Sequence, residues 1–260
     1  MCKILTIANQ KGGVGKSTSV LNLGYALGQT GNRVLLIDLD PQSSLTVCFG
    51  VENHEKLKTT MYHLMKNTLD LETLPPKSEY LMKKGNVDLI PCNIGLFAIE
   101  DKLKDEVGSE QTVSNIIAQI KDDYDFVIID TSPSLGLLTL NALTASDGII
   151  ITVSPQFLSA IGINLLLKTI NKIKTRVNPR LQIEGVLMTM CDNRTNLYRD
   201  ICGVIESSYS GIINIFDTQI PNSVKVGEAN LNRQSIIEFD KKNKASAAYI
   251  KFASEVMACV

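Results

Sequence analysis

Short runs of aliphatic and β-branched residues alternate along the chain with longer stretches whose apolar positions recur three and four apart. The runs at 4–8, 33–38, 87–90, 126–130, 148–154 and 182–189 predict strands. Several are apolar at every position, as when both faces of a parallel strand are covered. Between them, residues 16–28, 112–121, 135–145, 159–175 and 246–257 carry helical spacing. This alternation predicts one α/β domain over residues 1–260, a doubly wound and mostly parallel sheet with helices on both faces. Ligands meet such sheets at the carboxyl ends of the strands, so the residues just after each run are the first candidates for chemistry. Residues 51–86 break the pattern. They are polar, contain Pro75-Pro76, and predict a helical insertion rather than a second domain.

Composition narrows the class. With 260 residues, 44% hydrophobic and 20% charged, the chain has enough apolar surface for a full core and is not disordered. A formal net charge of −1 excludes a globally basic nucleic-acid binder. The charge is uneven, however: net −5 over residues 1–160 and net +4 over 161–260, which leaves room for a positive C-terminal face. No apolar run reaches the roughly 18 residues of a bilayer span. The apolar opening segment, residues 3–9, is too short for the core of a signal peptide and runs into glycines. Six spaced cysteines without a CxxC pair predict reduced, mostly buried thiols in a cytoplasmic protein. Two histidines leave little for a zinc site.

The chemistry sits after the first strand. Gln10-Lys11-Gly12-Gly13-Val14-Gly15-Lys16-Ser17-Thr18 joins a strand to a helix start. Glycines free backbone N–H groups to converge on phosphate oxygens, and the helix terminus adds positive potential. Lys16 is spaced to reach β- and γ-phosphates, and Ser17 to offer its hydroxyl to Mg2+. The loop is a variant of G-x-x-x-x-G-K-[ST]: Gln10 stands where the first glycine belongs, and an extra lysine, Lys11, follows it. Asp38 and Asp40 end the second strand, and Asp130 ends the run 126–130. One such aspartate is commonly a turn or cap residue. Three at strand tips beside a phosphate loop are what a metal–nucleotide site requires.

The loop 11–18, Asp38-Leu39-Asp40-Pro41-Gln42 and residues 130–136 together resemble the ParA/MinD group of deviant Walker-A ATPases. The closer resemblance is to ParA/Soj partition ATPases. It adds residues 134–143, Asp192-Asn193-Arg194-Thr195-Asn196-Leu197, Ile220-Pro221 and Glu228-Ala229.

That resemblance implies an ATPase with ATP and Mg2+ as cofactors. It implies a homodimer formed with ATP, non-specific binding of double-stranded DNA, and a ParB-like centromere-binding partner. The expected location is cytoplasmic, on the nucleoid when ATP is bound, with no membrane partner. By position, Lys11 reaches across an ATP-sandwich dimer to the partner's phosphates, past a slim Gly12. Gly12, Gly13, Val14, Gly15 and Lys16 hold phosphate. Ser17 ligates Mg2+, and Thr18 contacts the α-phosphate. Asp130 holds the Mg2+ shell through water, Asp38 orients that shell, and Asp40 places the attacking water. Adenine is expected between the loops 188–191 and 220–223, beside Met190 and Pro221. Arg194, Lys225 and Arg233 are the expected DNA contacts. Lys168, Lys172 and Arg176, spaced by four, are an alternative with a solvated helix face as the plainer account. The chain departs from the family pattern at Ser132, Ser43-Ser44, residues 155–160 and Asn222, outside the triphosphate core.

Three other classes compete. A MinD-like membrane-cycling ATPase needs a basic amphipathic tail, whereas residues 247–260 carry Lys251 as their one base and predict a packed helix. An iron–sulfur reductase with this loop needs two cluster cysteines, and Cys92 and Cys191 lack the expected surroundings. A non-hydrolysing scaffold has no need of Lys16, Asp40 and Asp130.

Overall fold

The computed structural model describes residues 2–155, 157–209 and 211–259, without the side chains of 157–162, 196, 197 and 206. Gln156, within the departing segment 155–160, lies outside the described residues. Among the described residues, eight strands form one sheet: β1 (Lys3–Ala8), β2 (Val34–Leu39), β3 (Met82–Lys84), β4 (Val87–Ile90), β5 (Phe126–Thr131), β6 (Gly148–Val153), β7 (Gln182–Cys191) and β8 (Ile215–Pro221). Their order is β3-β4-β2-β5-β1-β6-β7-β8. Every pairing is parallel except β3 with β4.

The central strands are wholly apolar because both faces are covered. Along β2, Val34 and Leu36 enter one core and Leu35, Ile37 and Leu39 another, as the two-residue repeat of a strand requires. The first core lies under α1 (Lys16–Gln29), α2 (Ser44–Phe49), α9 (Val224–Leu231), α10 (Ile236–Phe239) and α11 (Lys244–Cys259). The second lies under α3 (Met61–Leu69), α4 (Leu96–Asp105), α5 (Thr112–Ala118) and α6 (Leu137–Ala145). A third, beneath α7 (Phe157–Arg176) and α8 (Asn196–Tyr209), continues the second face past β6.

The C-terminal segment is a packed helix. α11 buries Tyr249, Phe252, Ala253 and Val256, with the Phe252 ring edge-on to Phe216 at 5.0 Å between centroids. It is tied to α1 by a Ser19–Tyr249 hydroxyl contact of 3.2 Å. Nearby, the Ile236 N–H donates to Asn22 Oδ1 at 2.8 Å.

The region 51–86 is only partly helical. It holds α3 and two single-turn 3-10 segments, but its end forms β3, an antiparallel edge strand. The start of α3 carries a capping box in which the Thr60 N–H donates to His63 Nδ1 at 3.2 Å. β8 is a further strand absent from the sequence expectation. It is an edge strand whose buried positions, Phe216, Thr218 and Ile220, alternate with Asp217 and Gln219. A pattern of wholly apolar runs does not find it. No helix among the described residues is long and apolar enough to cross a membrane.

Candidate nucleotide and metal site

Sheet order builds the site. β1 lies next to β5, and β5 next to β2, with Ile7 opposite Asp130 and Asp38 opposite Asp130 in register. The loop leaving β1 therefore starts beside two acidic strand tips. Gly13 (φ 71°) and Gly15 (φ 77°) turn that loop through the left-handed region, which costs glycine nothing. Lys16 opens α1 and folds back, its Nζ donating to the Lys11 carbonyl at 3.1 Å. The loop is braced from the neighbouring strands. Asn9 Nδ2 donates to the Thr152 carbonyl at 2.6 Å, while Asn9 Oδ1 accepts the Lys11 N–H at 2.9 Å. From β7, Thr189 donates its hydroxyl to the Val14 carbonyl at 2.9 Å.

The charges are buried. Asp38 and Asp130 have no solvent exposure, and Asp40 and Lys16 are also buried. Burial pushes the Asp38 carboxyl up to about 6, against hydrogen bonds from Thr46 and the Asp40 N–H that favour its ionised form. Burial, reinforced by the Asp38 charge, raises Asp130 well above the carboxylate range. Burial lowers Lys16, with Asp130 and Asp40 opposing.

The two strand-end carboxylates differ in how they are held. Asp38 is saturated: Oδ1 accepts the Asp40 N–H at 3.1 Å, and Oδ2 accepts both the N–H (2.8 Å) and the hydroxyl (2.6 Å) of Thr46. Among the described residues, neither oxygen of Asp130 has a hydrogen-bond partner. The Ser17 hydroxyl is near enough to favour its charge but not in bonding geometry. A buried carboxylate with both oxygens orphaned, beside a serine hydroxyl, fits a hydrated Mg2+. Asp38, already committed within the protein, fits an orienting role. Asp40 Oδ1 accepts the Gln42 N–H at 3.0 Å.

The structure also brings the two expected adenine loops together. Cys191 pairs with Pro221 across β7 and β8, and the Asn222 N–H donates to the Cys191 carbonyl at 2.9 Å. Met190, next to Cys191 at the end of β7, has φ 54° and is exposed. Thr18 lies within 3.5 Å of Asn230 Nδ2 on α9.

The three expected DNA contacts lie apart from this core, and each has an acidic partner. Arg194 grips Asp192 through two bonds of 2.8 Å, Lys225 meets Glu228 at 2.6 Å, and Arg233 meets Glu52 at 2.8 Å. Lys168, Lys172 and Arg176 are exposed on α7. No acidic residue lies between Asp147 and Glu184 in the sequence.

Sequence reasoning missed Asn9, Thr46, Thr189 and Asn230. Asn9 adjoins the loop and was open to inference as its brace. The other three lie on distant segments, and their roles follow only from tertiary placement.

A lysine-led phosphate loop at the head of a doubly wound sheet, with buried aspartates at the two neighbouring strand tips, defines a P-loop protein of the deviant Walker-A class. Residues 2–183 match the family described as an AAA domain. The chain is 36% identical over 258 residues to the sporulation initiation inhibitor protein Soj of Bacillus subtilis, covering 99% of each. It is 34% identical over 257 residues to the chromosome partitioning protein ParA of Caulobacter vibrioides, covering 98% of this chain and 94% of the relative. Among solved structures, the Mycobacterium smegmatis protein named cobyrinic acid a,c-diamide synthase, with bound ATP analog and magnesium, superposes with a TM-score of 0.85 at 33% identity, over 99% of this chain and 95% of that one. The chain belongs to the ParA/Soj family of partition ATPases.

Proposed function

We propose that this ATPase moves DNA cargo by a nucleotide-timed cycle of dimerisation. Residues 1–260 act as one ATPase domain. Two copies bind ATP, join face to face, hold double-stranded DNA without regard to sequence, and separate after hydrolysis stimulated by a ParB-like partner. The observation that carries this reading is the pairing of Lys16 with a second lysine, Lys11, in one phosphate loop beside the orphaned Asp130 carboxylate.

The roles are those that the likeness to ParA/Soj ATPases implies for these positions, and the geometry of the loop and the strand tips supports them. The backbone of Gly12, Gly13, Val14 and Gly15 wraps phosphate oxygens, and Lys16 supplies the main side-chain counter-charge. Bound Mg2+ would neutralise phosphate charge, with Ser17 and Asp130 as its holders and Asp38 fixing the surrounding shell. Asp40 places water for attack on the terminal phosphate. Thr18 reaches the α-phosphate, and Met190 and Pro221 flank the base. Lys11 completes the site of the other subunit. Arg194, Lys225 and Arg233 exchange their carboxylate partners for DNA phosphates. Such exposed pairs are screened by solvent, so phosphate competes for them readily.

The deciding experiment measures oligomeric state and DNA retention of the wild-type chain with ATP and Mg2+, with ADP, and without nucleotide. An ATP-specific dimer that alone retains DNA supports the cycle. DNA binding indifferent to nucleotide, or a monomer under all conditions, overturns it. Vesicle binding in ATP without DNA binding would point to the membrane-cycling class instead.

A further inference from the structure

We propose that Thr46 is a positioning residue that sets the orientation of Asp38 and, through it, of the Asp40 backbone. The proposal rests on the ATPase reading of the site. Thr46 is completely buried on α2, eight residues beyond Asp38. Its hydroxyl donates to Asp38 Oδ2 at 2.6 Å, and its N–H donates to the same oxygen at 2.8 Å. Asp38 Oδ1 in turn accepts the Asp40 N–H at 3.1 Å.

A hydroxyl has one proton, and here it goes to Asp38. Its lone pairs need a donor, and the Cys92 N–H supplies one at 2.9 Å. The rotor is thus fixed from both sides. Three segments meet at this oxygen: the tip of β2, the first turn of α2, and the stretch between β4 and α4. Valine has the same shape but neither hydrogen bond. It would leave Asp38 Oδ2 with one donor and the Cys92 N–H buried without an acceptor.

Asp40 follows Asp38 by two residues, and its N–H is the group that Asp38 holds. Freeing the Asp38 carboxyl therefore frees the turn that carries the Asp40 side chain. Placement of a reacting water tolerates little such freedom. Partners that orient a carboxylate at a metal site typically matter by about 10- to 100-fold in activity or metal affinity.

The test compares wild type with Thr46→Val and Thr46→Ser. One readout is amide hydrogen exchange at Asp40 in the ligand-free protein. The other is steady-state ATP hydrolysis. For Thr46→Val, Asp40 exchange should quicken and kcat should fall about 10- to 100-fold, with KM for ATP within about threefold of wild type. Thr46→Ser, which keeps the hydroxyl, should restore both. A valine variant with wild-type kcat and Asp40 exchange overturns the proposal. So does a serine variant as impaired as valine, which would assign the effect to the methyl group, or a loss confined to KM. If Thr46→Val does not fold, Thr46→Ala against Thr46→Ser makes the same comparison: loss in alanine with retention in serine supports the proposal, and equal behaviour overturns it. Wild-type protein that failed to hydrolyse ATP would overturn the ATPase reading instead, with Asp40 exchange still deciding the role of Thr46.

Discussion

Asp38 and Asp130 are register partners on adjacent parallel strands, so two fully buried carboxyl groups stand side by side. Burial and the Asp38 charge raise the Asp130 carboxyl, and the nearby Lys16 ammonium offsets part of that. Such a pair favours a divalent cation, and the sheet order that makes β2, β5 and β1 neighbours creates it.

Lys16→Ala should weaken ATP binding by about 10- to 150-fold, the value of a charge-assisted bond of roughly 1.5–3 kcal/mol. ATP-induced dimerisation and DNA retention should fail with it. Titration with a fluorescent ATP analogue checks the affinity, and normal dimerisation of this variant in ATP would refute the loop assignment.

Asp40→Ala should separate binding from chemistry. The carboxylate is held by the Gln42 N–H and, in the proposed role, acts on water rather than on ground-state phosphate. Single-turnover hydrolysis should slow by about 100-fold or more, while a persistent ATP dimer still retains DNA. Wild-type turnover by this variant would end the water-placing role.

Lys11→Ala should bind ATP as a monomer and fail to form the sandwich. The Lys11 backbone, which receives Lys16 Nζ and donates to Asn9, survives the change, so the local loop should persist. Light scattering of the variant alone in ATP is decisive: dimers with normal hydrolysis would remove the cross-subunit role.

Arg194, Lys225 and Arg233 changed together to alanine should weaken DNA binding while ATP binding and dimerisation persist. Loss of three phosphate contacts should reduce the salt slope by about 2–3 per subunit. The same measurement on Lys168→Ala, Lys172→Ala and Arg176→Ala is the control. An effect found only there would move the DNA face to α7.

His63 gives the start of α3 a pH dependence. Its Nδ1 must be unprotonated to accept the Thr60 N–H, and burial, with Lys66 adding, lowers its pKa from 6.5. The cap's contribution is therefore fully present above about pH 6.5 and is lost as pH falls through the lower folded value. The protection factor of the Thr60 amide, its exchange rate referred to the intrinsic rate at each pH, should fall on acidification from pH 7.5 to 5. His63→Gln should remove that dependence, since glutamine accepts the same bond without titrating.

Much of this site was legible because its parts are local in sequence. The loop 10–18 carries its own glycines and lysines, and Asp38 and Asp130 terminate runs whose apolarity marks buried parallel strands. The misses have physical causes. β8 is half-exposed and reads as polar, and β3 is three residues long with two lysines. Thr46 looks like an ordinary helix residue until α2 folds back over the tip of β2. The cations of the C-terminal third were visible as charge, but their pairing depends on folding: Asp192 shares a turn with Arg194, Glu228 lies one helical turn from Lys225 on α9, and Glu52 comes from a distant segment.

The tie between α11 and α1 bears on synthesis as well as stability. Tyr249 meets Ser19 across 230 positions of chain. At a translation speed of about 5–20 residues per second, α1 waits about ten to fifty seconds for that partner to be made. During the wait its apolar face, Val20, Leu23 and Leu27 among it, lacks the cover of the last helix. The phosphate loop leaves the ribosome well before the helix that seals the one behind it. A nascent chain stalled before residue 240 exposes an unfinished core, which makes it a natural client for chaperones and proteases.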